Sequence, residues 1–172
     1  MNKNKTIAVV GIGSSISFVL GQVILFKAPN GGSVSLFAVP IIIIAAKFGF
    51  NCSLYVALTA TIFSLMRNAI IIHPFQIILD YVVPNICFCI VFFFRKNSFK
   101  FILGIIFAYC CNFLFHFISG ILFFGQLAPK GQPVWLYSLI YNISTMIPEL
   151  LLVGITCHIL YIKLIGNKNY GT

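Results

Sequence analysis

The sequence predicts an all-α integral membrane protein, a bundle of six transmembrane helices, and three observations lead there. Of its 172 residues 60% are hydrophobic and 16% aromatic while only 8% are charged, for a mean hydropathy of +1.07. Soluble domains are about a quarter charged, so this chain belongs in lipid. The apolar residues fall into six runs, at about 7–26, 34–46, 48–66, 69–94, 101–127 and 134–165. Eleven Lys and Arg against two acids, a formal charge of +9, sit in short clusters between those runs. In a soluble protein that excess would suggest nucleic acid; here it is the pattern of membrane-flanking anchors, and no nucleic-acid partner is expected. The length suits one membrane-embedded domain over residues 1–172, with no room for a second folded unit.

Each run has its punctuation. The first follows Lys3 and Lys5 as a signal peptide's apolar stretch would, but no small-residue cleavage site of the A-x-A kind comes after it, so it is expected to stay as helix one. "KAPNGGS" (27–33) separates it from the second run, which is short against the roughly 20 residues a crossing helix needs and is expected to cross at a break or stop part-way. "KFGFN" (47–51) and "MRN" (66–68) bound the third run, and "RKNSFK" (95–100) ends the fourth. The fifth and sixth, divided by "APKGQP" (128–133), are long enough to tilt or to extend beyond the bilayer. Six crossings put both termini on one side. With that side cytoplasmic, the inner segments hold Lys3, Lys5, Lys47, Arg95, Lys96, Lys100, Lys163 and Lys168, and the outer loops Lys27, Arg67 and Lys130. Eight against three predicts both ends inside.

The chemistry available is narrow. The six cysteines (Cys52, Cys87, Cys89, Cys110, Cys111, Cys157) lie in or beside apolar runs without a C-x-x-C pair, and read as small polarizable packing residues. No H-E-x-x-H, G-x-S-x-G or phosphate-loop signature is present, so metal, hydrolase and nucleotide-driven readings lack support, and no catalytic or metal residue is assigned. An intramembrane aspartyl enzyme would need two catalytic aspartates, and Asp80 is the only one. His73 and His158 lie near run ends, where interfacial roles suit them.

That leaves Asp80, Asn112, His116, Gln126, Asn142 and Glu149, with Tyr81, Tyr137 and Tyr141, as polar groups within apolar runs. Ionisable groups so placed face a bundle interior or a water-filled cavity and mark a ligand or ion path; the bland reading of Asp80 is a neutral carboxyl bonded to a neighbouring helix. Glu149 follows Pro148, where a helix should kink, and serves either that kink or an aqueous surface, or a ligand. Tyr137 and Tyr141 are four residues apart, as are Asn112 and His116, so each pair shares a helix face. Counted from the helix ends, Asp80, His116, Phe124, Tyr137 and Asn142 approach one outward-facing level. A carboxylate, an imidazole, an amide and aromatic faces suit a small, flat, partly cationic organic ligand. A stand-alone ion-coupled carrier or channel using Asp80 and His116 as a relay is the rival reading.

The segments "PNGGSVSL" (29–36), "QIILDY" (76–81), "HFISGILFFGQLAPKG" (116–131) and "WLYSLIYNIS" (135–144) resemble the ThiT family, the thiamine-specific S components of energy-coupling factor transporters, over nearly the whole chain. The resemblance implies a six-helix S-component fold that captures thiamine from outside. It also implies as partners a transmembrane coupling subunit and two ATPase subunits; ATP is used by those, and this chain is not an enzyme and needs no cofactor. The family's ligand contacts then fall on Asp80, Tyr81, His116, Phe124, Tyr137 and Asn142. Three positions depart from a family member's pattern: Asp80 in place of glutamate, Phe124 in place of tryptophan, and the glycine-rich "NGGS" in place of a loop tryptophan. Indole is the best cation–π partner, so these changes weaken that attraction and keep a thiamine precursor or another vitamin as alternative ligands. On helix one, Gly11-x-x-x-Ser15 is a small-xxx-small ridge, similar in place and size to the alanine pair with which S components dock on the coupling subunit.

Overall fold

The computed structural model describes residues 2–27, 32–66 and 71–166. These form six helices: α1 Lys3–Gln22, α2 Val39–Phe48, α3 Phe50–Leu65, α4 Pro74–Phe94, α5 Ser98–Phe123 and α6 Val134–Leu164. Between α1 and α2 a short antiparallel pair, β1 Phe26–Lys27 and β2 Ser33–Val34, sets Phe26 opposite Val34 and Lys27 opposite Ser33. Arg67, Lys168 and residues 29–31 of the glycine-rich loop lie outside the described residues.

The six helices match the six apolar runs, with corrections at their ends. The first run reached residue 26 and the second began at 34, yet both positions belong to the β pair. An apolar stretch continuing past a helix cannot be told from a strand by hydrophobicity alone. The fifth run's 124–127 is likewise outside α5: Phe124 is its C-cap and Gly125–Leu127 is a 3₁₀ turn. Helix α4 starts only at Pro74, behind His73, whose Nδ1 accepts the Phe75 N–H at 3.2 Å. Pro148 lies inside a helix assigned without a break from Val134 to Leu164.

Four helices, α1, α4, α5 and α6, are long and apolar enough to cross a membrane. With its 10 residues, α2 rises only about 15 Å, so it stops part-way. Its sequence "VPIIIIAA" is apolar on every side, and Val39 to Ala46 are all buried, as a helix hydrophobic all round must be. It is the pillar of the core, with Val56 and Ala57 of α3, Phe88 and Val91 of α4, Phe101 and Ile105 of α5, and Val153 of α6 in the same cluster. Gly49 makes the turn into α3 at φ +102°, in the region that favours glycine. Cys52, Cys87, Cys89 and Cys157 are buried thiols, Cys110 is exposed and Cys111 half-buried, and none is in a disulfide.

Packing closes one end of the bundle. The Arg95 guanidinium donates to the Ala46 carbonyl at 3.2 Å and lies 4.3 Å from the centre of the Phe92 ring. The Tyr161 hydroxyl donates to the Arg95 carbonyl at 2.8 Å, and its ring stacks on Phe101 at 4.3 Å. Ser98 and His158 Nδ1 are 3.2 Å apart. Lys47, Lys96, Lys100 and Lys163 therefore gather at this end. Gly13 lies against Val56 and Phe18 against Phe63, so α1 runs parallel to α3, which brings Lys3 and Lys5 there too.

Helix α1 shows two small-residue faces with different neighbours. Gly13, Ser14, Ser17 and Gly21 are buried against the bundle, where a β-carbon on Gly13 would meet Ile44 and, at 3.2 Å, Val56. Gly11 and Ser15 are exposed, and a β-carbon on Gly11 would have nothing within 4 Å. Gly13→Val should thus lower stability by about 1–3 kcal/mol through overpacking, while Gly11→Val stays within about 0.5 kcal/mol. Thermal unfolding of the two variants in detergent checks the contrast.

Candidate functional site

The opposite end of the bundle is hollow. A cavity of about 690 Å³ lies among the ends of α3 and α5, the beginnings of α4 and α6, and the segment around β2. What places a carboxylate on its wall is a local feature of α4. Pro84 has no N–H to give to the carbonyl four residues back, and its ring crowds that carbonyl. The turn before it is wound as a π-helix, Ile78–Val82, closed by the Val83 N–H on the Ile78 carbonyl. Asp80 and Tyr81 both sit in this widened turn and both line the cavity. Single π turns recur where a helix must present functional groups out of ordinary register.

Polar groups from neighbouring helices hold that turn. The Thr61 hydroxyl on α3 accepts the Asn85 amide at 2.8 Å and shares its one hydrogen between the carbonyls of Ala57, at 2.8 Å, and Tyr81, at 3.3 Å. From α5, the buried Asn112 amide donates to the Pro84 carbonyl at 3.1 Å.

Asp80 is held at both oxygens. Gln76, one turn earlier and 1% exposed, donates its amide to Oδ2 at 3.1 Å and accepts the Ile72 N–H at 2.7 Å. His116 Nδ1 stands 3.4 Å from Oδ1, an ion pair whenever the imidazole is protonated. The carboxylate side chain is 12% exposed, which leaves it a face toward the hollow. Across from it, α5 and α6 come close at Gly120, where a β-carbon would lie 3.0 Å from that of Ser138. Ser138 donates to the Phe117 carbonyl at 2.9 Å, and Asn142 donates to the Ser138 carbonyl at 2.8 Å. Tyr137 and Tyr141 add their rings at a centroid distance of 6.1 Å, tilted by 39°.

All six residues singled out in the sequence, Asp80, Tyr81, His116, Phe124, Tyr137 and Asn142, line this one cavity. Tyr141 and Asn112 join them, whereas Gln126 is exposed on the 3₁₀ turn and stays outside the lining. Glu149, left open between kink, aqueous surface and ligand, faces the cavity. Sequence reasoning missed Gln76, Asn85, Ser35 and Thr145. The i, i+4 spacing of Gln76 and Asp80 is a signal that could have found the first; the others depend on contacts between helices.

The fold and site define a multi-pass membrane protein that encloses a polar chamber fit for a small molecule. Comparison with known proteins narrows the class. Residues 7–168 match the thiamine transporter protein family (Thia_YuaJ). The thiamine transporter ThiT of Bacillus subtilis (strain 168) is 35% identical over 147 residues, 77% of each chain. ThiT of Lacticaseibacillus paracasei is 51% identical over 39 residues, 23% of this chain and 19% of its own. The solved structure of ThiT from Listeria monocytogenes shares the fold with a TM-score of 0.81, over 95% of this chain and 97% of that one, at 24% identity. The chain belongs to the thiamine transporter protein family.

The bonds at Thr61 generate a prediction. Thr61→Val keeps the shape but takes from the Asn85 amide its acceptor on α3, and should lower stability by about 1–3 kcal/mol. Thr61→Ser, which keeps the hydroxyl, should recover most of it in the same thermal unfolding assay.

Proposed function

We propose that this chain is the substrate-binding S component of an energy-coupling factor transporter, and that it captures thiamine from outside the cell in the cavity around Asp80. The observation that carries the reading is a carboxylate set among aromatic and amide groups, at the end of the bundle opposite the cluster of Lys47, Arg95, Lys96, Lys100 and Lys163. Positive charge collects on the cytoplasmic side, so the cavity opens outward and both chain ends are inside. Its volume lies in the range of small-molecule sites.

Thiamine gives each group a task. Its thiazolium is a permanent cation, which a carboxylate of low exposure attracts strongly because little water competes. Tyr81, His116, Phe124 and Tyr137 offer ring faces for stacking and cation–π attraction. Asn142 offers an amide to fix the pyrimidine's orientation. Gly11 and Ser15, small and exposed on α1, provide the ridge on which a transmembrane coupling subunit packs closely. Transport energy comes from two ATPase subunits on that partner, and this chain hydrolyses no ATP.

Calorimetric titration of the detergent-purified protein with thiamine tests the reading. Heat is the better signal, because Trp135 is 52% exposed and outside the cavity lining. Saturable binding is expected, and Asp80→Asn should weaken it about 10- to 100-fold, the worth of one charge-assisted contact, while leaving the protein folded. An unchanged affinity in that variant would return Asp80 to a structural role. Uptake by proteoliposomes holding this chain alone would favour the stand-alone carrier instead.

A further inference from the structure

Gln76 is 1% exposed, although a glutamine amide inside an apolar bundle is costly unless its hydrogen bonds are made. It lines the cavity from the first turn of α4, four residues before Asp80 and so on the same helix face. Its two ends are assigned by their neighbours. The Ile72 N–H can only donate, and it meets Oε1 at 2.7 Å, so the NH2 end is turned the other way, onto Asp80 Oδ2 at 3.1 Å. The Gln76 backbone N–H donates to the His73 carbonyl at 3.0 Å, which fixes the turn that carries the side chain. With Oδ2 accepting from the amide and Oδ1 facing His116 Nδ1 at 3.4 Å, the plane of the carboxylate is set by groups on two helices.

Resting on the reading of this cavity as a thiamine site, we propose that Gln76 is a positioning residue for ligand capture: locked by the Ile72 N–H, its amide holds Asp80 Oδ2 as an acceptor and aims the carboxylate at the cation. An aspartate carboxyl turns about a broad, two-fold torsion, so packing alone leaves its plane loosely defined. The Gln76 amide cannot turn over, because reversing it would set its NH2 against the Ile72 N–H and its oxygen against Oδ2. His116 cannot do this alone: imidazole Nδ1 donates or accepts according to tautomer, whereas the amide nitrogen always donates. A carboxylate already held in place does not have to be ordered when the ligand arrives, and that saving is the gain of preorganisation.

Calorimetry with thiamine on the wild type, Gln76→Met, Asp80→Asn and the double variant tests this. Methionine keeps the length and the volume but makes neither bond. Gln76→Met should weaken thiamine binding by about 5-fold or more in the wild-type background. In Asp80→Asn, where no charge is left to aim, the same change should cost a factor smaller by about 2.5-fold or more. A Gln76 that only braced the fold would lower the melting temperature and weaken binding by the same factor in both backgrounds. Factors that agree more closely than that, or a loss under about 5-fold in the wild-type background, overturn the proposal. Should Gln76→Met not fold, Gln76→Ser, whose gap admits water to the Ile72 N–H, goes through the same cycle. Absence of thiamine binding by folded wild type would overturn the reading of the cavity, a result separate from thiamine that binds without this coupling.

Discussion

A carboxylate inside an apolar helix has to be enclosed, and the outward half of this bundle is arranged around meeting that requirement at Asp80. Lipid offers no partner for such a charge, so the partners must come from protein. They come from one turn back on α4, as Gln76, and from α5, as His116. The helix itself is reshaped to aim the group: Pro84 withholds an N–H, the preceding turn widens, and Thr61 and Asn112 take up carbonyls around it. If any of these failed, the carboxylate would face hydrocarbon or pull water into the bundle.

The hollow is possible because stability is concentrated at the other end. The short α2, apolar from Val39 to Ala46, fills the centre of the bundle, and its far side is locked by Arg95, Tyr161 and Phe101. Each of those contacts joins elements distant in sequence, so that end acts as a base from which the longer helices extend past α2. Beyond the reach of α2 there is no apolar pillar, and the helix faces that meet there carry amides, hydroxyls and aromatic rings. The length of one helix thus decides where the bundle is solid and where it can hold a ligand.

Much of this was legible in the sequence because lipid solvation imposes simple rules. Long apolar runs must be helices, and a handful of polar residues within them must converge. That logic located Asp80, His116 and Asn142 without coordinates. Three things were hidden. Phe26 and Val34 of the β pair continue the apolar runs beside them, so hydropathy carried no sign of the change at those two positions. The π turn depends on how a helix accommodates Pro84 against its neighbours, which a single run does not reveal. Glu149 next to Pro148 looked like a companion of a kink; only the packing of α6 beside β2 shows that it faces the hollow.

The central claim is that the Asp80 carboxylate is kept in the bundle to meet a cationic ligand within this cavity. A structure of the protein solved with thiamine bound tests it most directly. The account predicts the ligand in the cavity between α4, α5 and α6, with one of its rings within about 4 Å of the Asp80 carboxylate, the reach of a direct ionic contact. Thiamine seated elsewhere, or in the cavity with both rings beyond reach of Asp80, would contradict it.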